Sequence, residues 1–273
     1  IFEPDGTFIS AWGQGVFTRA HNVFIGPDGS VYAVDVGDHS VRKCTPNGEI
    51  LMTLGNPGTP GDTGATTDYR TIERGGPPFY APTKAVLNDA GEIFVSDGYM
   101  NARVHHFSAE GHLLNSWGQP GDAPGQFNLC HSIAVGPDGT LYVCDRENSR
   151  LQLFNQAGEF IEEWTDVSRP CDVYAGPDGL IYVAELGHKA GLALAKPVDT
   201  PGVPSLSVWE PGHTLVGRWG EDDILAPGSF FAPHGIALDS QGNLYVAEVT
   251  VSGDAGRGVI PPGYRAIQKF EPV

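Results

Sequence analysis

Three histidines, His21, His131 and His234, occupy the same position in successive copies of an internal repeat. Each lies eight residues before the last glycine of a turn motif, at positions 29, 139 and 242. Three imidazoles that converge on one point are typical of catalytic zinc, because they leave coordination positions open for water or substrate. The alternative is that they only hydrogen-bond to buried water or backbone carbonyls. Their shared register favours a metal ion, with zinc as the expected one.

The repeat is marked by five turns, each placed between two apolar, β-rich runs. The turns read GPDG, NDAG, GPDG, GPDG and DSQG, and they end at residues 29, 91, 139, 179 and 242. The closest two glycines are 40 residues apart, which suits a four-stranded propeller blade. The sequence therefore predicts an all-β protein, a β-propeller of four-stranded antiparallel blades that forms a single domain over residues 1–273.

The histidine positions also predict the number of blades. The residue eight positions before each turn glycine begins the innermost strand, which lines the central channel of a propeller. In the other two repeats this residue is Thr83 or Cys171, so histidine occurs in alternate blades. Alternate blades of a six-bladed ring stand about 120° apart and surround one axial point. Five blades are recognisable and residues 2–12 read as the last strand of another, so we expect six, with the first incomplete or upstream.

An acidic residue ends the strand after every turn, six positions beyond the glycine. Because it recurs in all five repeats, we interpret it as a structural acceptor of backbone or arginine hydrogen bonds, not as a catalytic group. The five acids are Asp35, Asp97, Asp145, Glu185 and Glu248.

Two repeats are expanded by insertions rich in glycine, proline and aspartate. We expect long loops there, at about residues 56–80 and 187–215. Loops of this length commonly carry substrate specificity.

Charge and hydropathy limit the partners. A formal net charge of −17 argues against nucleic acid or an anionic membrane, which bind clustered lysine and arginine. No run approaches the roughly 18 apolar residues of a membrane span, and the start lacks a signal-peptide pattern. We expect a soluble monomer whose localisation stays open, because any targeting segment would lie upstream of Ile1. Cysteines 44, 130, 144 and 171 are expected to be buried free thiols, with one disulfide as the alternative.

Several motifs resemble the NHL-repeat propellers and, among them, the peptidyl-α-hydroxyglycine α-amidating lyases. The similar segments are residues 96–103, 124–127, 131–132, 145–150 and 233–235. The resemblance implies that the three histidines hold zinc, that Tyr99 acts as a base, and that Arg146 binds the carboxylate of a small-molecule or peptide substrate. It further implies cleavage of a carbinolamide to an amide and glyoxylate.

The sequence departs from that family at three places. The family's second substrate arginine belongs to a blade that would lie upstream. Met100 stands where the animal enzymes have a disulfide cysteine. Gly235 replaces an acid that follows the third histidine and helps to bind a structural calcium ion, which puts calcium in doubt.

Three functions remain open at this point. The first is the metal-dependent lyase, and the second is a metallohydrolase on the same scaffold, in which the metal activates water. The third is a non-catalytic NHL-repeat binding module. Taken separately, Tyr99 is as compatible with loop packing as with catalysis, and Arg146 could simply pair with a blade acid.

Overall fold

The computed structural model describes residues 1–66, 68–187, 202–254 and 256–272. Nineteen strands in this part of the chain form five antiparallel sheets, each built from strands that are consecutive in sequence. The first strand of each sheet packs beside the first strand of the next. This arrangement is a β-propeller and confirms the predicted all-β fold with antiparallel blades, of which blades 1 to 4 have four strands and blade 5 has three.

The strands follow the repeat, blade by blade. Blade 1 contains β1 (Ala20–Ile25), β2 (Val31–Asp35), β3 (Ser40–Cys44) and β4 (Ile50–Gly55); blade 2 contains β5 (Pro82–Leu87), β6 (Ile93–Asp97), β7 (Arg103–Phe107) and β8 (Leu113–Trp117); blade 3 contains β9 (Cys130–Val135), β10 (Leu141–Asp145), β11 (Arg150–Phe154) and β12 (Phe160–Trp164); blade 4 contains β13 (Pro170–Ala175), β14 (Ile181–Glu185), β15 (Ser205–Glu210) and β16 (Thr214–Trp219); blade 5 contains β17 (Pro233–Leu238), β18 (Leu244–Glu248) and β19 (Ile267–Phe270).

Short helices lie outside the blades. They are two 3-10 turns, Tyr69–Thr71 and Arg146–Asn148, and the four-residue helix α1 (Val251–Asp254). None of the described helices is long and apolar enough to cross a membrane.

The turn glycines explain the regular hairpins between the first two strands of each blade. All five have a positive φ, between 78° and 84°, which glycine adopts without steric cost. In blade 1, the Gly26 N–H donates to Ser30 O over 2.8 Å and closes the turn. The five motifs therefore set the same strand register in every blade.

The recurring acids have the structural role expected from the sequence. Asp35 accepts the Thr18 and Arg19 N–H groups, and Asp97 accepts the Tyr80 N–H. The equivalent backbone donors are Asn128 for Asp145, Ser168 for Glu185, and Phe231 and Ala232 for Glu248. Each acid thus binds the segment that leads into the first strand of its own blade.

Apolar side chains between neighbouring blades form the core. Between blades 3 and 4, Trp164 and Trp209 are almost fully buried with ring centroids 5.5 Å apart. Between blades 1 and 2, Phe79 packs with Val34 and Val95. All four cysteines are buried and free, which confirms the expectation of free thiols.

One face of blade 1 is uncovered. Val23 is 59% exposed, whereas Ile133, at the equivalent position of blade 3, is fully buried. Val23 lines an open apolar cavity of about 570 Å³ together with Trp12 and Phe17. The described residues therefore form five blades, and the face of blade 1 that would meet a preceding blade is open.

Residues 2–12 do not form the strand that was expected there. Their bridge pairs Phe2 with Phe8 antiparallel, as a small hairpin. Trp12 nevertheless packs as the end of a preceding blade would. A Cβ at Gly48 would lie 2.7 Å from the Trp12 ring, and one at Gly158 would lie 2.6 Å from the ring of Trp117, which ends β8.

The bounds predicted for the second loop, residues 187–215, include residues that form strands. Residues 188–201 lie outside the described residues, but β15 and the start of β16 fall within the range 187–215. The prolines at 204 and 211, which suggested a loop, lie just outside the two ends of β15. In the first predicted loop, between β4 and β5, the regular structure of the described residues is limited to the 3-10 turn at Tyr69–Thr71.

Candidate metal centre

A β-bulge at the start of each innermost strand presents the channel residue. The ladder between the first two strands skips one residue in every blade, and a bulge of this kind re-aims a side chain. The skipped residues are His21, Thr83, His131, Cys171 and His234, which are the five register positions counted from the turn glycines.

The three histidines converge as the register predicts. One ring nitrogen from each lies within 4.8 Å of the others. The ring centroids are 5.1 Å apart for His21 and His131, 5.4 Å for His21 and His234, and 4.6 Å for His131 and His234. Three neutral imidazole nitrogens at this spacing suit a first-row divalent ion with open coordination positions, so the residues fit zinc.

Backbone carbonyls of the intervening blades fix two of the rings. His21 Nδ1 lies 2.8 Å from Thr83 O, and His131 Nδ1 lies 2.6 Å from Cys171 O. A carbonyl oxygen can only accept, so each Nδ1 carries the proton and each Nε2 keeps its lone pair toward the axis. The two positions without histidine thus orient their histidine neighbours.

The channel keeps the histidines neutral. Burial lowers the pKa of His21 to about 4, although the Thr83 carbonyl opposes the shift. Burial also lowers the pKa values of His131 and His234, and Arg146 and the neighbouring histidine charges act in the same direction. Neutral imidazoles are the form that binds a metal ion, so the ligands are ready at neutral pH.

Tyr99 lies against two of the metal-facing nitrogens. Its hydroxyl is 2.9 Å from His131 Nε2 and 3.1 Å from His21 Nε2. The preceding Gly98 allows this approach, because a Cβ there would lie 2.1 Å from Cys130 O. Burial raises the pKa of the Tyr99 phenol, while the Arg146 guanidinium acts in the opposite direction.

Arg146 lies beside Tyr99 at the start of a 3-10 turn. Its guanidinium carbon is 5.8 Å from the centroid of the Tyr99 ring, and the residue is only 3% exposed. Its Nε donates to Glu147 Oε1 over 2.8 Å, and Arg169 shares that carboxylate at 3.0 Å. Arg146 therefore forms an ion pair with Glu147, which is not one of the five recurring blade acids that the sequence alternative named. The ion pair uses Nε and leaves the two terminal Nη groups out.

Comparison with known proteins identifies the family. Residues 127–154 match the NHL repeat model. The chain is 31% identical over 288 residues to NHL repeat-containing protein 3 of Mus musculus, covering 100% of this chain and 72% of that protein. The chain belongs to the NHL-repeat family.

Two further matches extend the comparison of this NHL-repeat protein. It is 29% identical over 256 residues to peptidyl-alpha-hydroxyglycine alpha-amidating lyase 1 of Drosophila melanogaster, covering 87% of this chain and 44% of the lyase. A solved streptogramin B lyase structure matches with a TM-score of 0.59 at 14% identity, over 100% of this chain and 75% of the other. The second match supports the fold alone.

A buried ion pair of this NHL-repeat protein lies next to the histidines, formed by residues that directly follow channel positions. The Lys84 ammonium donates to Asp172 Oδ1 over 2.6 Å and to Val173 O over 2.7 Å, and both charged side chains are buried. Gly235 offers no carboxylate at the corresponding place in blade 5. Among the five residues that directly follow the channel positions, Asp172 alone carries a carboxylate, and it already pairs with an ammonium. These residues do not fit a calcium ion, which requires several oxygen ligands.

Sequence reasoning missed this ion pair and the support of Arg146 by Glu147 and Arg169. A signal for the ion pair was present, because opposite charges stand at positions 84 and 172, each one residue after a channel position. Glu147 gave no comparable signal, since neither it nor Arg169 directly follows a channel position.

Proposed function

We propose that this chain is a zinc-dependent lyase that cleaves a carbinolamide such as peptidyl-α-hydroxyglycine to an amide and glyoxylate. The observation that carries the proposal is the position of Tyr99, whose hydroxyl lies next to His21 Nε2 and His131 Nε2. A phenol placed at a three-histidine site can move the proton of a hydroxyl group that binds there. The 29% identity to the Drosophila protein named as this lyase supports the same reaction.

Each group has a distinct task in the proposed reaction. Bound zinc would supply Lewis acidity that makes the substrate hydroxyl more acidic. Tyr99, as phenolate, takes the hydroxyl proton. The electron pair left on oxygen forms the carbonyl of glyoxylate as the C–N bond breaks. The amide nitrogen then receives the proton from Tyr99, so the enzyme is regenerated and neither water nor an oxidant is consumed.

Arg146 is proposed to bind the substrate carboxylate. Its terminal nitrogens lie outside the Glu147 ion pair, and a guanidinium can bind a carboxylate bidentately. The expected substrate is therefore a small molecule or peptide that ends in a carboxylate next to the carbinol carbon. A monomer is sufficient for this chemistry, because every proposed group belongs to one chain.

A sixth blade between blades 5 and 1 completes the proposed site. His21 and His131 each donate to the channel carbonyl of the following blade. His234 belongs to blade 5, and no hydrogen bond of its ring nitrogens occurs within residues 1–66, 68–187, 202–254 and 256–272. A sixth blade would supply the third carbonyl, and it would cover Val23 and Trp12.

The test is glyoxylate release from α-hydroxyhippurate by the zinc-loaded protein, with any native upstream sequence included. The proposal predicts turnover that disappears in His131→Ala together with the bound zinc. Zinc-replete protein that releases no glyoxylate would refute the lyase. Ester or lactone turnover without glyoxylate would favour a metallohydrolase, and absence of bound metal would favour a binding module.

A further inference from the structure

We infer that the Lys84 ammonium is the built-in cation of the inner channel, so that this protein joins its blades around Asp172 without a second metal ion. The inference concerns the layer next to the histidines and goes beyond the proposed reaction. The resemblance implies calcium near Gly235, and the residues present there do not fit a calcium ion.

The Asp172 carboxylate collects donors from four blades. Oδ1 accepts from Lys84 Nζ of blade 2 at 2.6 Å and from Ser132 Oγ of blade 3 at 2.6 Å. It also accepts the Val173 N–H of its own blade at 3.0 Å. Oδ2 accepts the Ile236 N–H of blade 5 at 2.8 Å. One carboxylate thus connects the innermost strands of blades 2 to 5.

The charge balance of this layer requires the lysine. The residues directly after the five channel positions are Asn22, Lys84, Ser132, Asp172 and Gly235. They contain one positive and one negative side chain, which compensate each other. A buried carboxylate without a cation would be strongly destabilising, and a divalent ion here would face the ammonium as a like charge. The ammonium therefore takes the place that a metal ion would need.

The oxygen atoms around Lys84 resemble the ligands of a cation. Asp172 Oδ1 and Val173 O accept two of its three N–H groups. Asn22 of blade 1 lines the same cavity, and its buried Oδ1 has no hydrogen-bond partner among the described residues. A small movement of Asn22 would supply a third acceptor and add blade 1 to the cluster.

This arrangement bears on the candidate metal centre because each residue of the cluster lies one or two positions after a channel residue. Ser132 follows His131, and Ile236 lies two residues after His234. Holding these strands to Asp172 fixes the two bulges that present the histidines. Lys84 and Asp172 are accordingly positioning residues that contact no substrate.

The first test uses the wild-type chain. Zinc-replete protein in metal-free buffer is analysed for total metal, and its thermal unfolding midpoint is measured with and without excess calcium chloride. We expect one zinc and no calcium per chain, and no change in the midpoint on calcium addition. A second tightly bound divalent ion, or a midpoint raised by calcium, would overturn the inference.

Two variants test the role of the lysine directly. Lys84→Met is expected to lower the midpoint by about 10 °C, because it leaves a buried carboxylate unpaired. The matched control is Lys43→Met, which removes a lysine paired with the exposed Asp28 and should shift the midpoint by less than about 2 °C. Equal shifts in the two variants would contradict the inference.

A double variant tests whether a metal ion can replace the Lys84 ammonium. Lys84→Met with Gly235→Asp is expected to gain calcium-dependent stability that the wild type lacks, and failure to gain it would count against the cation role. These results are independent of the lyase proposal. A wild-type protein that binds no zinc or releases no glyoxylate would refute the lyase proposal. The calcium experiments would still decide whether Lys84 is the cation of the inner channel.

Discussion

The buried position of Tyr99 conflicts with the base role proposed for it. Burial raises the pKa of its phenol, which disfavours the phenolate that a base requires. Arg146 opposes that shift, and a bound dication would oppose it further. In the proposed reaction, Arg146 and a bound dication would both favour the phenolate form of Tyr99.

Tyr99→Phe should lower kcat by about 10²- to 10⁴-fold and leave zinc content unchanged, because it removes the proton-transfer group and keeps the ring. Steady-state glyoxylate assays and metal analysis check this. Activity within twofold of wild type would exclude Tyr99 as the base and leave it a packing residue.

Arg146→Gln should raise KM by about 10- to 100-fold for a substrate that carries a carboxylate, since it removes a charge-assisted interaction. The control is a substrate in which the carboxylate is replaced by an amide, whose KM should not respond. An equal change for both substrates would indicate that Arg146 acts only through its ion pair with Glu147.

The regular register of the strands determined which parts of the fold and of the site could be predicted from the sequence. The turn glycines fix the register, so the convergence of His21, His131 and His234 could be predicted by counting. The bulge that presents them has no sequence signal of its own. The Lys84–Asp172 pair joins residues 88 positions apart. Counting from the turn glycines places each of them directly after a channel position, but the count does not show that the two charges meet across the channel. The strand β15 was missed because it follows an insertion that hides the repeat.

Gly98→Ala tests the element that carries Tyr99. A Cβ there would lie 2.1 Å from Cys130 O, so the loop must move away from β9. We expect a loss of stability of about 1–3 kcal/mol and more than tenfold lower activity at unchanged zinc content. Gly217→Ala is the control, because a Cβ there meets no atom within 4 Å. A fully active Gly98→Ala protein would show that the close approach is not needed.

The five blades of the described residues surround one polar channel. Each blade contributes a bulge to the channel, and burial favours the neutral form of the three channel histidines. A sixth blade would make the three histidine blades alternate around the axis. Stability should therefore depend on the protonation of the channel.

Metal-free protein is expected to lose stability as the pH falls from about 6.5 toward 4. The folded pKa of His21 is about 4, below the ordinary value of 6.5, so the unfolded chain binds more protons in this range. Stability from the neutral histidines is fully present above pH 6.5 and declines as the pH approaches 4. Urea unfolding at several pH values measures this, and a His21→Gln variant should show a weaker dependence. An identical pH dependence in the two proteins would contradict the burial argument.

The claim that three histidines hold one metal ion is tested most directly by zinc K-edge X-ray absorption on the zinc-loaded protein. We predict one zinc per chain with three imidazole nitrogens at about 2.0 Å, and one fewer in His234→Ala. A spectrum with sulfur ligands, or one that the His234→Ala substitution leaves unchanged, would contradict the account.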